Sequence, residues 1–195
     1  PFAEMWMLAS LAGYVLPFLL SFVLAAIYSM LVDKHRPPVL TAGDQSARYA
    51  SLWRRGLAKT IDAVIALGPL AGGAVLILLA FSEKRGTVDR GWAILGALAC
   101  FFGFFWSIAF LLLVSLEEGK TGKSPGKTTM KIRVAGDDLE PCGFPRAIVR
   151  NLLLFIDGVF NFLVGLLLAA LTKNRQRLGD IVAQTVVVSD SDTQR

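Results

Sequence analysis

Residues 53–81 read WRRGLAKTIDAVIALGPLAGGAVLILLAF, in which three cations and an aspartate lead into nineteen residues without a charge. An acid carried into lipid is costly unless a partner or water receives it, so Asp62 marks this helix as more than an anchor. The arrangement recurs at 149–165, VRNLLLFIDGVFNFLVG. Aligning Arg55 with Arg150 also matches Leu57 with Leu152, Ile61 with Ile156, Asp62 with Asp157 and Val64 with Val159. Twice the chain writes Arg, six residues, then Asp at the head of an apolar run.

Outward from these segments, the composition agrees with a polytopic membrane protein. The chain has 195 residues, of which 54% are hydrophobic, and a mean hydropathy of +0.58. That is more apolar surface than one soluble core of this size requires. Met5 to Val32 and Gly91 to Leu116 carry no charge, while Ile61 to Phe81 holds only Asp62 and Leu152 to Thr172 only Asp157. Each run has roughly the 20 residues a helix needs to cross. The first run has no basic leader and no cleavage pattern, so it reads as a retained anchor. The expected fold is all-α and polytopic, with three to four transmembrane helices and a small cytoplasmic β element. Residues 1–36 form an extra N-terminal anchor, 37–49 a linker, 50–188 the membrane domain and 189–195 a tail.

Lysines and arginines set the expected orientation. The segment 33–55 supplies five of them and 117–150 seven, against three in SEKRGTVDR at 82–90. The N-terminus is therefore expected outside and the richer loops inside. Lys173, Arg175 and Arg177 follow the fourth run. If that run crosses, they face outward; if it dips in and returns, the tail stays cytoplasmic. The charge count favours the dip and the run length favours the crossing. Met130–Val134 alternates apolar and basic residues and QTVVV at 184–188 is β-branched, so two short strands are expected to pair on one side of the membrane.

Several chemistries are excluded. GKTGKSPGKT at 119–128 lacks the P-loop spacing and follows an apolar run rather than a strand, so it reads as a flexible basic loop and no nucleotide is expected. The net charge of +5 sits beside apolar runs, where it orients helices, and implies no nucleic acid. His35 is the sole histidine, and Cys100 and Cys142 form no CxxC pair, so neither metal nor cofactor is expected. No nucleophile setting is present; the expectation is a non-enzyme.

The Arg/Asp spacing returns both groups to one helix face, about 10 Å apart. That face reads Arg55, Lys59, Asp62, Ala66, Pro69, Gly73 on run two and Arg146, Arg150, Leu154, Asp157, Asn161, Gly165 on run four. Lys59, three residues before Asp62, is placed to neutralise it, whereas Asp157 has only Asn161 one turn on. Three readings stay open: a structural Arg–Asp network fixing helix register, a cation or proton site for which Asp157, without a near cation, is the better candidate, and lipid headgroup binding. Membrane lipid, and a membrane-protein partner or a second copy of the chain, are the expected partners.

These residues resemble the RDD family, small membrane domains named for one arginine and two aspartates. The likeness spans about Ala50 to Val188, through YASLWRRGLAKTIDAVI, GKSPGKTTMKIRV, RAIVRNLLLFIDG and RQRLGDIVAQTVVV. It implies that Arg55 is the arginine and Asp62 the first aspartate, with Asp157 or Asp180 the second. For activity it implies a domain of poorly defined function, with transport suspected and sodium/proton antiport proposed for some members. Two readings follow for this chain, expected in a bacterial inner membrane: a non-catalytic accessory or assembly subunit docking onto a larger complex through its extra first helix, or a small oligomeric sodium/proton antiporter. The first helix lies outside the likeness and is expected to dock a partner.

Overall fold

The computed structural model describes residues 39–42, 45–81, 90–159 and 176–190, with isolated positions 20, 23, 24, 27, 168 and 172; for 155–159 it describes backbone alone. Within these residues the order is β1 (Val39–Ala42), β2 (Gln45–Arg48), α1 (Leu52–Phe81), α2 (Arg90–Thr121), α3 (Pro125–Thr129), β3 (Ile132–Gly136), α4 (Phe144–Val159), α5 (Leu178–Val182) and β4 (Thr185–Ser189). Most of Met5–Val32 and all of Asn161 lie outside the described residues, as does the side chain of Asp157.

The protein is mostly helical, and α1 and α2 are long and apolar enough to cross a membrane. At about 1.5 Å per residue, 30 residues reach about 45 Å, against a hydrocarbon core of about 30 Å. Each helix therefore has two to three turns to spare, and these carry the charges: the start of α1 and the end of α2. Contacts of Gly73 with Gly96, Leu70 with Gly103 and Ala66 with Ser107 run in opposite chain directions, so the two helices are antiparallel and their polar ends meet.

Small residues set how closely they approach. A Cβ on Gly73 would fall 2.6 Å from the Cys100 amide nitrogen, and one on Gly103 would fall 2.6 Å from that of Leu70. Such contacts are forbidden, so backbone meets backbone, the packing expected where lipid supplies no hydrophobic drive between helices. Pro69 lies inside α1, and its missing N–H leaves the Ile65 carbonyl without the usual donor four residues on. Trp106 of α2 replaces that donor, its Nε1 bonding the Ile65 oxygen at 2.9 Å. Ser107 Oγ donates at 2.8 Å to the neighbouring Ala66 carbonyl.

The burial pattern is inverted relative to a water-soluble domain. Asp62, Glu118, Lys127, Arg150, Asn151 and Asp180 are buried, while Val64 and Phe102 are each 66% exposed. Phe101, Phe104, Phe105 and Leu113 are exposed as well. Charged groups seldom go inside unpaired, and an apolar surface this continuous marks contact with lipid or a partner.

β3 and β4 pair antiparallel, with Val134 opposite Val187 and Gly136 opposite Thr185. The expected pairing of 130–134 with 185–188 is present, two residues later than read: Met130 caps α3 and Lys131, at φ 54°, turns the chain into the strand. Tyr49 bridges the other side of β4 at Val188, and the Ala50 amide donates to the Val187 carbonyl at 2.9 Å. The sheet thereby leads into α1. Val134, Val187 and Ile132 pack with Ala58 of α1 and Ala147 of α4. Residues 39–48, read as linker, instead form the β1–β2 hairpin, with Leu40 opposite Ala47 and Ala47 buried beside Val186. A Cβ on Gly179 would lie 2.9 Å from the Arg150 carbonyl oxygen and 3.4 Å from Leu153 Cβ, so the head of α4 and the start of α5 are neighbours.

Candidate functional site

The polar ends of α1 and α2 meet α3, α4 and α5 in one buried layer of charges. The first turns of α1 offer Arg55, Lys59 and Asp62 at spacings of four and three residues, which is one face of a helix. The last turns of α2 offer Ser115 and Glu118, and the inner face of α4 offers Ala147, Arg150 and Asn151. α5 contributes Asp180 from its first turn.

Two acids organise the layer. Asp180 is wholly enclosed and accepts a charged hydrogen bond from Arg55 Nη2. Arg150 Nη1 lies 3.6 Å away and Arg177 Nε 3.5 Å away, and the Arg177 amide donates at 3.4 Å. Burial alone would raise its pKa, but Arg177, Arg55 and Arg150 together outweigh it and hold the carboxyl well below the usual carboxylate range. Glu118, also wholly enclosed, accepts from Arg150 Nη2 at one oxygen and from Lys127 Nζ at the other. Asn151 Nδ2 donates to it at 3.0 Å and to Ser115 Oγ at 3.1 Å. Arg150, 1% exposed, therefore bridges both acids.

Asp62 is held differently. Ser124 Oγ donates to its Oδ2 at 2.7 Å and the Gly126 amide to its Oδ1 at 2.8 Å, which clamps α3 onto α1. A Cβ at Gly126 would collide with the Ala58 carbonyl oxygen, so glycine is what permits the approach. Ser124 also caps α3 by accepting from the Lys127 amide at 3.3 Å, with Pro125 at the first helical position. The segment read as a flexible basic loop is instead a short capped helix whose Lys127 is 3% exposed. Its ammonium is pushed below the ordinary amine range by burial, then by the charges of Lys59 and Arg150.

Lys59, placed to neutralise Asp62, makes no direct ion pair with it among the described residues. Its Nζ instead reaches Asn151 Oδ1 at 3.3 Å and Glu118 Oε1 at 4.0 Å, while Ser124 and Gly126 each bond one oxygen of Asp62. The layer thus brings together Arg55, Lys59, Asp62, Arg150 and Asp180 from among the residues singled out in the sequence. Asp157 belongs to α4 by its backbone, and its side chain, like Asn161, falls outside the described residues. Missed from sequence were Glu118, Lys127, Asn151, Ser124 and Gly126. Glu118 stands in LEEG at the end of an apolar run, and SPG before KTT is a helix-start signature, so both had signals.

Among the described residues no cluster of His, Cys, Asp and Glu could hold a metal. A cavity of about 570 Å³ opens at the same end of α2, lined by Glu117, Thr121, Lys123, Ser124, Pro125 and Thr128.

Comparison with known proteins places this geometry in a family. The chain is 35% identical over 94 residues to the proline-rich antigen of Mycobacterium leprae, covering 47% of this chain and 37% of that protein. It is 38% identical over 73 residues to a proline-rich antigen homolog of Mycobacterium tuberculosis, covering 37% of this chain and 30% of that protein. The match spans about a third of these relatives' length. No solved structure matches. The sequence pattern of the RDD family matches residues 49–184, which include every member of the buried layer, and the chain belongs to the RDD family.

Proposed function

We propose that this domain is a non-catalytic membrane module, an accessory or assembly subunit whose buried charges lock its helices together and whose apolar faces meet lipid and a membrane-protein partner. The observation that carries the reading is the enclosure of Glu118 and Asp180, each 0% exposed and each held between cations from different elements. A carboxylate on a conduction path must meet water or an exchanging ion; these two meet guanidinium and ammonium groups. In this reading Asp180, the partner of Arg55, is the second family aspartate.

The topology that goes with it has α1 and α2 as two spans, the run Met5–Val32 as a third, and residues 152–172 as a fourth span or a re-entrant segment, in a bacterial inner membrane with the N-terminus outside. The adjacency of Gly179 with Arg150 and Leu153 supports a return to the starting side, and the cation count supports a cytoplasmic sheet. A cysteine at Asp190, labelled by a membrane-impermeant reagent, tests this: labelling from the cytoplasmic face is expected, and labelling of intact cells from outside overturns it.

The second reading, sodium/proton antiport, draws support from Asp62. Among the described residues it has hydrogen-bond partners but no ion pair, and Ser124, which binds it, lines the cavity beside Lys123. Full-length protein in vesicles loaded with a pH-sensitive dye separates the two. The module reading expects no sodium-driven pH change above empty vesicles and recovery of a partner with the protein from native membrane. A flux removed by Asp62→Asn or Asp157→Asn would establish the antiporter instead.

A further inference from the structure

The charge-free run of α2 ends at Leu116, and the first charge after it, Glu117, lines the cavity of about 570 Å³ together with Thr121, Lys123, Ser124, Pro125 and Thr128. In a helix that crosses a membrane, that position is the boundary between hydrocarbon and headgroups. The volume falls in the range of small-molecule sites, about 300–1,000 Å³. Four residues before Glu117, on the same side of the helix, Leu113 is 58% exposed, and Leu112 and Leu116 beside it are exposed as well. A polar recess thus continues into an apolar surface at the depth where a phospholipid makes the same change. We propose that this cavity is a phospholipid headgroup site, selective for a headgroup that carries a primary ammonium next to its phosphate, as in phosphatidylethanolamine.

The lining charges select the headgroup. Lys123 Nζ bonds Asp190 at 2.7 Å, and an ammonium has three N–H groups, so two remain for phosphate oxygens. Thr128, exposed in the same lining, adds a hydroxyl. Glu117 is the complementary group: Thr121 Oγ1 donates to its Oε1 at 3.3 Å, which leaves most of the carboxylate's acceptor capacity open. A purely anionic headgroup would meet a lysine already shared with Asp190 and a repelling Glu117. A choline headgroup brings a positive charge but no N–H to donate. An ethanolamine headgroup suits both sides, its ammonium donating to Glu117 while its phosphate takes Lys123 and Thr128. Ser124 is committed to Asp62 and the Lys127 amide, and Thr121 to the Glu117 carbonyl and the Lys123 amide, so these two shape the recess. The inference rests on α2 crossing the membrane and holds whether the domain is a passive module or a transporter.

The test is native mass spectrometry of the full chain in detergent, incubated with equimolar phosphatidylethanolamine, phosphatidylcholine and phosphatidylglycerol of identical acyl chains. The ethanolamine lipid is expected to be retained at least about threefold over each of the others, as one additional charged hydrogen bond at a solvent-accessible site would give. Glu117→Gln should remove the preference over phosphatidylcholine, and Lys123→Met should weaken retention of both lipids alike. Neither side chain is buried, so both variants are expected to fold. Equal retention of the three lipids, a preference for phosphatidylglycerol, or retention unchanged by the two substitutions overturns the proposal. Displacement of the lipid by an equal concentration of glycerophosphoethanolamine would assign the cavity to a soluble phosphoester and overturn the lipid site as well.

Discussion

Arg55, in the first turn of α1, donates to Asp180, which lies 125 residues further along the chain in the first turn of α5. The pair ties the end of the domain to its beginning, and Arg150 links it through Glu118 to α2 and α3. Removing one member of a buried pair costs about 3–5 kcal/mol where the partner is left charged and unpaired; Asp180 keeps Arg150 and Arg177 when Arg55 is removed, so the loss is expected to fall below that range. The surface pair Lys123–Asp190 at 2.7 Å, by contrast, contributes about 0–1 kcal/mol.

Asp62→Asn should weaken the clamp on α3 without removing it. The side-chain oxygen of asparagine still accepts one of the two hydrogen bonds, so a loss of about 1–3 kcal/mol is expected. Gly126→Ala should cost more, since its Cβ meets the Ala58 carbonyl and pushes the amide away from Asp62. Reactivity of the buried Cys142 thiol during heating, in a Cys100→Ala background, reads both.

Trp106→Phe should destabilise the α1–α2 hairpin by leaving the Ile65 carbonyl without a donor. A buried or lipid-facing acceptor without a partner costs about 1–3 kcal/mol. In a Pro69→Ala background the helix supplies its own N–H to that oxygen, so the same substitution should cost less. Equal losses in both backgrounds would remove the proposed compensation.

Acid should act through Asp180. Its folded pKa lies below the ordinary carboxylate value of about 3.9, so its contribution to stability is fully present above that value. The contribution disappears as the pH falls from about 4 through the depressed folded value. Asp180→Asn should therefore lower stability at pH 7 and flatten its dependence on pH below about 4, as a thermal-unfolding series in detergent would record.

Much of this architecture was legible in the sequence. Charge-free runs of helical length give α1 and α2, and alternating or β-branched stretches give β3 and β4. Arg55, Asp62 and Arg150 stand out because charge at the edge of an apolar run needs a reason. The hairpin at 39–48 did not, since QSAR carries no apolar alternation and owes its burial to β4. Glu118 and Lys127 look like solvated loop charges until α3 folds back over α1. The repeat matches Asp157 to Asp62 by sequence spacing, whereas Arg55 meets Asp180 only through tertiary contact, which spacing does not show. Lys59 likewise suits Asp62 by helix spacing, whereas its bond to Asn151 of α4 arises only through tertiary contact.

The central claim, that Arg55 is structurally bound to Asp180, is tested most directly by a double-mutant cycle of Arg55→Met and Asp180→Asn, measured as unfolding free energy of the full chain in detergent. The account predicts that the two losses overlap, with a coupling of at least about 1 kcal/mol, because each single change removes the same contact. Losses that add within about 0.5 kcal/mol would mean that Arg55 and Asp180 act independently, and would contradict the account.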